Sequence, residues 1–397
     1  KYPGSRNNLG IELLRRGERA EALMQFTASL TADPKNVTAL YNLGRIELDS
    51  GDHQRALLHL TAASALVPSD LPIRIALAGA LALSGKELLA REKLRDPLEK
   101  RPSLAEELLS LGRVASSQGR HANARAILAA FDPSPAQAAE WHAISGYADY
   151  KLGNPQRAQE RLRRAIELNP MAEEYWMDMA ELLLFHQSFD AAIAFLTTGL
   201  GKLPESARLH LGLGVSQLAA GGQNEDAIRH LETSLQIQPN FEPALSALCE
   251  AHHRNKEWKQ LDLTAARWLR ANPQAYGSFY YRAIALIEGD SKEHAESLAE
   301  ARRLLRQSIQ MQPRFAASRI AMGKLLNQLD KPAQALEEFR AAIEADPEEP
   351  AAQYQIALTY RKLGQHEKSR QVLETFKNMK AKQQPWKAVF QLSKDTR

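Results

Sequence analysis

The spacing of its prolines constrains this chain more than any other feature. In equivalent contexts they stand at Pro34, Pro68, Pro102, Pro170, Pro204, Pro239, Pro273, Pro313 and Pro347. The steps are 34, 34, 68, 34, 35, 34, 40 and 34 residues, and the double step has its midpoint at Ala136, just past Pro133 and Pro135. The surrounding text recurs as well: "ADPKNVTALYNLG" from Ala32, "ELNPMAEEYWMDMA" from Glu167 and "EADPEEPAAQYQIA" from Glu344. A fixed period of this length marks a repeat architecture, in which one supersecondary unit is stacked many times.

Within a period the apolar residues follow helical spacing twice. In the second unit Leu40, Leu43, Gly44 and Glu47 fall in a first helix, and Ala56, Leu60 and Ala63 in a second that Pro68 closes. Ser50-Gly51-Asp52 supplies the turn, with glycine suited to a helix end and aspartate to capping the next helix. The sixth unit repeats this with Trp176, Met179, Ala180 and Leu183, then Ala192 and Leu196, and the tenth with Met322, Gly323 and Leu326, then Ala335, Phe339 and Ala342. Small residues recur in the first helix: Gly10, Gly44, Gly112, Gly146, Ala180, Gly214 and Gly323. Glycine inside a helix costs up to about 1 kcal/mol relative to alanine, so close packing must offset it.

These residues resemble the tetratricopeptide repeat, whose pattern runs W-x2-L-G-x2-Y, then A-x3-F, then P. Ala22-x3-Phe26 and Ala335-x3-Phe339 match the second-helix part, Leu9-Gly10 and Leu43-Gly44 the centre of the first, and Gln353-x2-Ile356-Ala357-x2-Tyr360 keeps the closing tyrosine. The opening tryptophan is mostly replaced, Trp176 excepted. The resemblance covers about eleven units. It implies an all-α, right-handed superhelical solenoid of antiparallel helix pairs over residues 3–376, followed by a basic segment, 377–397. Joints are expected near residue 97, where Asp96-Pro97 should break or kink a second helix, at 133–136, where the fourth unit ends early, and at 288–298, where the long step adds residues. An extra residue also enters the seventh unit around Gly221-Gly222-Gln223-Asn224. Pro385-Trp386-Lys387-Ala388-Val389-Phe390 reads as a capping helix for the last unit, or alternatively as a docking or self-association helix.

Composition narrows the function. Apolar residues make up 44% and charged residues 25%, as in ordinary folded proteins. The formal charge is +4, of which the last 21 residues carry +5, so the rest is near neutral and no nucleic-acid partner is expected. No apolar run is long enough to span a membrane. The single cysteine, Cys249, excludes an internal disulfide framework and leaves cytoplasm and periplasm equally open. The chain starts at Lys1 without a methionine, which fits either removal of a signal peptide or trimming of a longer parent.

No catalytic constellation emerges. Cys249, His252 and His253 lie at i, i+3, i+4, but zinc needs three or four converging ligands, and Cys249 occupies the small central slot of its unit. It reads as a small core residue. His142, His186, His210, His230 and His294 are scattered, and no nucleotide or nucleophile fingerprint is present. Glu173-Glu174 and Glu348-Glu349 sit at helix starts, where they favour the helix dipole. No enzyme, metal or cofactor is expected.

Binding is what such an array does. The resemblance implies that first helices line a concave groove, and the residues beside the packed positions should face it. In the first half these are Tyr41, Arg45, Arg113, Tyr147, Tyr150, Met177 and Glu181; further on they are Glu250, His253, Tyr280, Lys324, Asn327, Tyr354 and Arg361. Tyrosine and arginine there suit recognition of a peptide or protein. The family's carboxylate clamp uses Lys and Asn from three successive units; Asn8 and Asn42 fit it, but the third unit offers Ile75, Ala76 and Gly79, so a chaperone-tail receptor is not expected. The expected function is a non-catalytic scaffold for a protein or peptide partner. The alternative is the repeat region of a larger enzyme, sensor or secretion component.

Overall fold

A computed structural model describes residues 3–380 apart from 222–223, 290–294 and 348–349. Among the described residues there are 22 α-helices and no strand, which in chain order make eleven helix pairs. Their first five pairs are α1 (Pro3–Arg15) with α2 (Arg19–Ala32), α3 (Val37–Asp49) with α4 (His53–Leu66), α5 (Leu71–Leu83) with α6 (Glu87–Lys100), α7 (Leu104–Ser117) with α8 (His121–Ala129), and α9 (Ala138–Lys151) with α10 (Pro155–Leu168). Then follow α11 (Glu173–Phe185), α12 (Phe189–Leu200), α13 (Ala207–Ala220), α14 (Asn224–Ile237), α15 (Glu242–Arg254) and α16 (Trp258–Ala271). The last are α17 (Tyr276–Glu288), α18 (Ala295–Met311), α19 (Ala316–Gln328), α20 (Pro332–Ala345), α21 (Pro350–Lys362) and α22 (His366–Lys380). The chain forms two compact units that divide between Leu182 and Leu183, within α11.

The repeat is written into the core. On the second helices, Ala22, Ala56, Ala90, Ala124, Ala158, Ala192, Ala227, Ala301 and Ala335 are all 0% exposed. Four residues after each, Phe26, Leu60, Leu94, Leu128, Leu162, Leu196, Leu231, Leu305 and Phe339 are equally buried. Those large side chains fill the glycine slots of the first helices. A Cβ on Gly44 would sit 2.5 Å from Leu60 Cγ, and one on Gly10 2.7 Å from Phe26 Cζ, closer than any side chain tolerates. This is why glycine is kept there despite its cost in a helix.

The turn inside each pair has its own signature. Gly51 has φ +80°, ending α3 with a left-handed residue, and the Asp52 N–H reaches back to the Glu47 carbonyl at 2.9 Å. Gln187, Lys256 and Asp330 take the same position without glycine, at φ 57°, 59° and 55°. Side-chain caps then open helices: Asn36 accepts from the Ala39 N–H, Asp52 from Arg55, Asp70 from Ile73 and Ser206 from Leu209.

Two irregularities matter. Pro97 does not break its helix: α6 runs unbroken from Glu87 to Lys100. Proline removes the N–H that would bond the Lys93 carbonyl, and Arg74 of α5 replaces it, its Nε and Nη2 donating to that oxygen at 2.9 and 2.6 Å.

The second irregularity is α8, nine residues long and followed by Phe131-Asp132-Pro133-Ser134-Pro135. At other junctions the second helix of a pair packs on the first helix of the next, as α4 does on α5 and α14 on α15. Between the third and fourth pairs that contact shrinks, and α8 instead lies along α5 and reaches α3. Ala126 of α8 comes within 3.5 Å of where a Cβ on Gly79 would be. Asn123 donates to Asp49 of α3, and Arg125 pairs with Glu87 at 3.3 Å and with the wholly buried Asp149 at 2.7 Å. Arg161 of α10 approaches the same carboxylate at 3.2 Å and stands 5.2 Å over the Trp141 ring.

In the later unit, α18 is 17 residues long, so part of the extra length of its repeat is helix; 290–294 lie outside the described residues. So do 222–223 and the segment Pro385–Phe390 read as a capping or self-association helix. Among the described residues no helix is long and apolar enough to cross a membrane.

Candidate partner-binding surface

The fourteen residues expected to face a groove fall into three registers of the first helices. Tyr41, Met177, Tyr280 and Tyr354 share one. Arg45, Arg113, Tyr147, Glu181, Glu250 and Lys324 each directly follow the small slot residue, and Tyr150, His253, Asn327 and Arg361 lie three residues beyond that register. Positions i, i+4 and i+7 lie on one helical face, so the three registers form a continuous strip on each helix. Arg45, Arg113, Lys324, Tyr354 and Arg361 are exposed; Tyr41, Met177, Tyr147, Glu250, His253, Tyr280 and Asn327 are half-buried; Tyr150 and Glu181 are buried.

In the first unit these residues form three groups. Tyr41 and Arg45 of α3 line a cavity bounded by α5, α7 and α8, with the Arg45 guanidinium 5.6 Å from the Tyr41 ring centre. Arg113 of α7 is exposed but paired with Glu140 of α9 at 2.5 Å, and that hydrogen bond raises its pKa further. The third group centres on Lys151. Its Nζ donates to Glu181 at 2.6 Å and stands 4.9 and 4.4 Å from the Tyr147 and Tyr150 ring centres. The His121 ring meets Tyr147 edge-on at 5.6 Å. Burial, reinforced by the Glu181 carboxylate, pushes the Tyr150 phenol well above its ordinary value. Burial first, and then Lys151, lower the pKa of His121, so the imidazole in this group is neutral at pH 7.

In the second unit Glu250 is the hub. It accepts from Arg254 Nε at 2.7 Å and from the Tyr281 hydroxyl at 3.1 Å, with His253 Nδ1 at 3.7 Å. Burial works to raise its carboxyl, but the His253 and Arg254 interactions outweigh that and hold it below the usual glutamate value. His253 also faces the rings of Trp258 and Tyr281. Tyr280 meets Tyr281 and Phe315 at 5.0 and 5.4 Å. Asn327 donates to Thr359 at 2.7 Å, and Tyr354 lies 5.2 Å from Phe376. Lys324 and Arg361 stand exposed on α19 and α21.

Cys249 is wholly buried, and burial pushes its thiol far above the ordinary value. His252 is hydrogen-bonded to Glu257 at 2.5 Å. Among the described residues no group of three or more His, Cys, Asp or Glu is arranged to hold a metal ion. Lys151, on the strip face of α9, and His121, which reaches Tyr147 from α8, are the residues of this group that the sequence reading missed. Lys151 follows Tyr147 by four residues on the same face, a spacing that could have flagged it.

Comparison with known proteins agrees with the helix-pair fold. The tetratricopeptide repeat family matches residues 7–70 through one subfamily and 150–214 and 326–389 through another. A solved tetratricopeptide repeat protein from Parabacteroides merdae, 14% identical, covers 65% of this chain and 99% of its own with a TM-score of 0.52. The chain belongs to the tetratricopeptide repeat family. Among curated proteins it is similar to the human protein O-mannosyl-transferase TMTC1, 26% identical over 209 residues, and the mouse protein O-mannosyl-transferase TMTC3, 22% identical over 205. These alignments take in 51% and 50% of this chain but span only 23% and 19% of those relatives' lengths.

Proposed function

We propose that this chain is a non-catalytic scaffold that binds a protein partner, presented as an extended segment, along the first-helix strip. One observation carries this reading: the register after the small slot places Arg45 on α3, Arg113 on α7 and Tyr147 on α9, with Gly79 between the first two on α5. Most apolar residues of those helices are meanwhile used for packing, Leu111 and Val114 of α7 excepted. Large amphipathic side chains on a rigid framework are what binding hot spots are made of.

The test is affinity capture of a partner followed by titration of variants. Arg113→Ala or Tyr147→Ala should weaken binding by about thirtyfold, the equivalent of about 2 kcal/mol for a true hot spot. Arg163→Ala, on the exposed face of α10, should change it little. Unchanged affinity in both strip variants would overturn the proposal.

A second reading is that the array serves as the repeat region of a longer enzyme, sensor or assembly component. The similarity to a small part of two proteins named as transferases supports it. The length of the full reading frame decides between the two.

A further inference from the structure

The shift of α8 onto α5 leaves a cavity of about 390 Å³ between α3, α5, α7 and α8. A regular repeat would not make it, because it needs a second helix on the first-helix side. Its walls are apolar: Tyr41 and Ile75 on one side, Leu111 and Val114 on the other, the latter two 48% and 44% exposed. Arg45 and Arg120 add two cationic groups to the lining. Among the described residues neither has a carboxylate partner; Arg45 stands over Tyr41 and Arg120 donates to Gln118. The acidic member of the lining, Asp49, is already engaged by Asn123 and, at 3.9 Å, by Arg19.

We propose that this pocket binds a peptide segment in which a large apolar side chain, leucine or phenylalanine, stands next to an aspartate or glutamate. The proposal deepens the scaffold reading and rests on it. The cavity lies at the low end of the roughly 300–1,000 Å³ typical of small-ligand sites, a size for one or two side chains rather than a cofactor. An incoming apolar side chain covers Leu111, Val114 and Ile75, removing exposed apolar surface from water. The neighbouring carboxylate meets guanidinium groups whose forked donors match its two oxygens. Charge selects the partner: with Asp49 committed, the pocket's unanswered charges are both positive.

The probe is a set of N-acetylated, C-amidated heptapeptides carrying Leu, Phe, Ala, Glu, Lys or Ser at three central positions, bound to the full chain. Peptides that pair Leu or Phe with an adjacent Glu should bind tightest. The double variant Arg45→Glu, Arg120→Glu should weaken them at least tenfold and favour their Lys counterparts instead, a reversal that a merely misfolded variant cannot produce. If the tightest peptides ignore the charge reversal but lose affinity in Tyr147→Ala, the scaffold reading stands and the pocket proposal fails. Retention of free C-terminal peptides alone, or of no end-blocked peptide, also overturns it.

Discussion

The guanidinium of Arg74 donates two hydrogen bonds to the carbonyl oxygen of Lys93, the acceptor that Pro97 leaves without its helical partner. A proline inside a helix removes one bond and crowds the preceding turn, yet α6 continues to Lys100. Arg74→Met should therefore cost about 1.5–3 kcal/mol, the net worth of a hydrogen bond to a charged group. In a Pro97→Ala background the same change should cost much less, because the backbone then supplies the donor. Chemical denaturation of the four proteins checks this; equal costs in both backgrounds would mean that Arg74 acts through something other than the orphaned carbonyl.

The glycine slots make a sharper prediction. With the Cβ position of Gly44 2.5 Å from Leu60, even Gly44→Ala overpacks the pair. Gly44→Leu should lose about 1–3 kcal/mol, the usual range for an overfilled core. Leu60→Ala in the Gly44→Ala background should recover the clash but forfeit the buried leucine, so the two losses are not additive. A thermal melt of Gly44→Leu matching wild type would place Gly44 outside the interface.

Asp149 is the one fully buried carboxylate between Arg125 and Arg161. Asp149→Asn leaves two largely buried guanidinium groups facing each other with only the Glu87 carboxylate, 3.3 Å from Arg125, as a counter-charge. Removing one member of a buried ion group typically costs about 3–5 kcal/mol. Because Arg125 belongs to α8, the loss should appear first as increased hydrogen exchange in α8 and α9. A variant as stable as wild type would show that the two arginines are solvated well enough to stand alone.

Stability should also depend on pH in a defined direction. Burial lowers the pKa values of His121, His142 and His230, with Lys151, Arg161 and His210 respectively adding to it. A base held below its unfolded value of 6.5 binds fewer protons in the folded chain than in the unfolded one. Stability is then fully present above that value, falls as pH drops through it, and levels off below the folded values. Scanning calorimetry between pH 7.5 and 5.5 should show the melting temperature falling. His230→Gln, which removes the 3.0 Å contact between His210 and His230 Nδ1 atoms, should show a smaller fall. An equal fall would acquit that pair.

How much of this was legible in the sequence follows from what kind of contact each feature needs. The helix pairs, the Ala-x3-Leu or Phe core and the glycine slots are local or one repeat away, so the period displays them directly. The helix continues past Pro97 with its compensation coming from Arg74, on the neighbouring helix, which no local rule connects to it. The irregularity of α8 was hinted at by the early end of the fourth unit, but which surface a shortened helix covers is decided by tertiary packing. Tyr150 and Glu181 share a face with exposed strip residues, yet Lys151 draws them into a buried cluster. Helical spacing assigns a face, and burial on that face depends on the next helix in the stack.

The most direct test of the account is hydrogen–deuterium exchange on the full chain with and without a captured protein partner. If the first helices carry the binding strip, protection on binding should fall on peptides from α7, α9 and the other first helices, with their second helices nearly unchanged apart from α8, which lines the pocket beside α5. Protection confined to second helices such as α10 and α16, with none on the first, would contradict it.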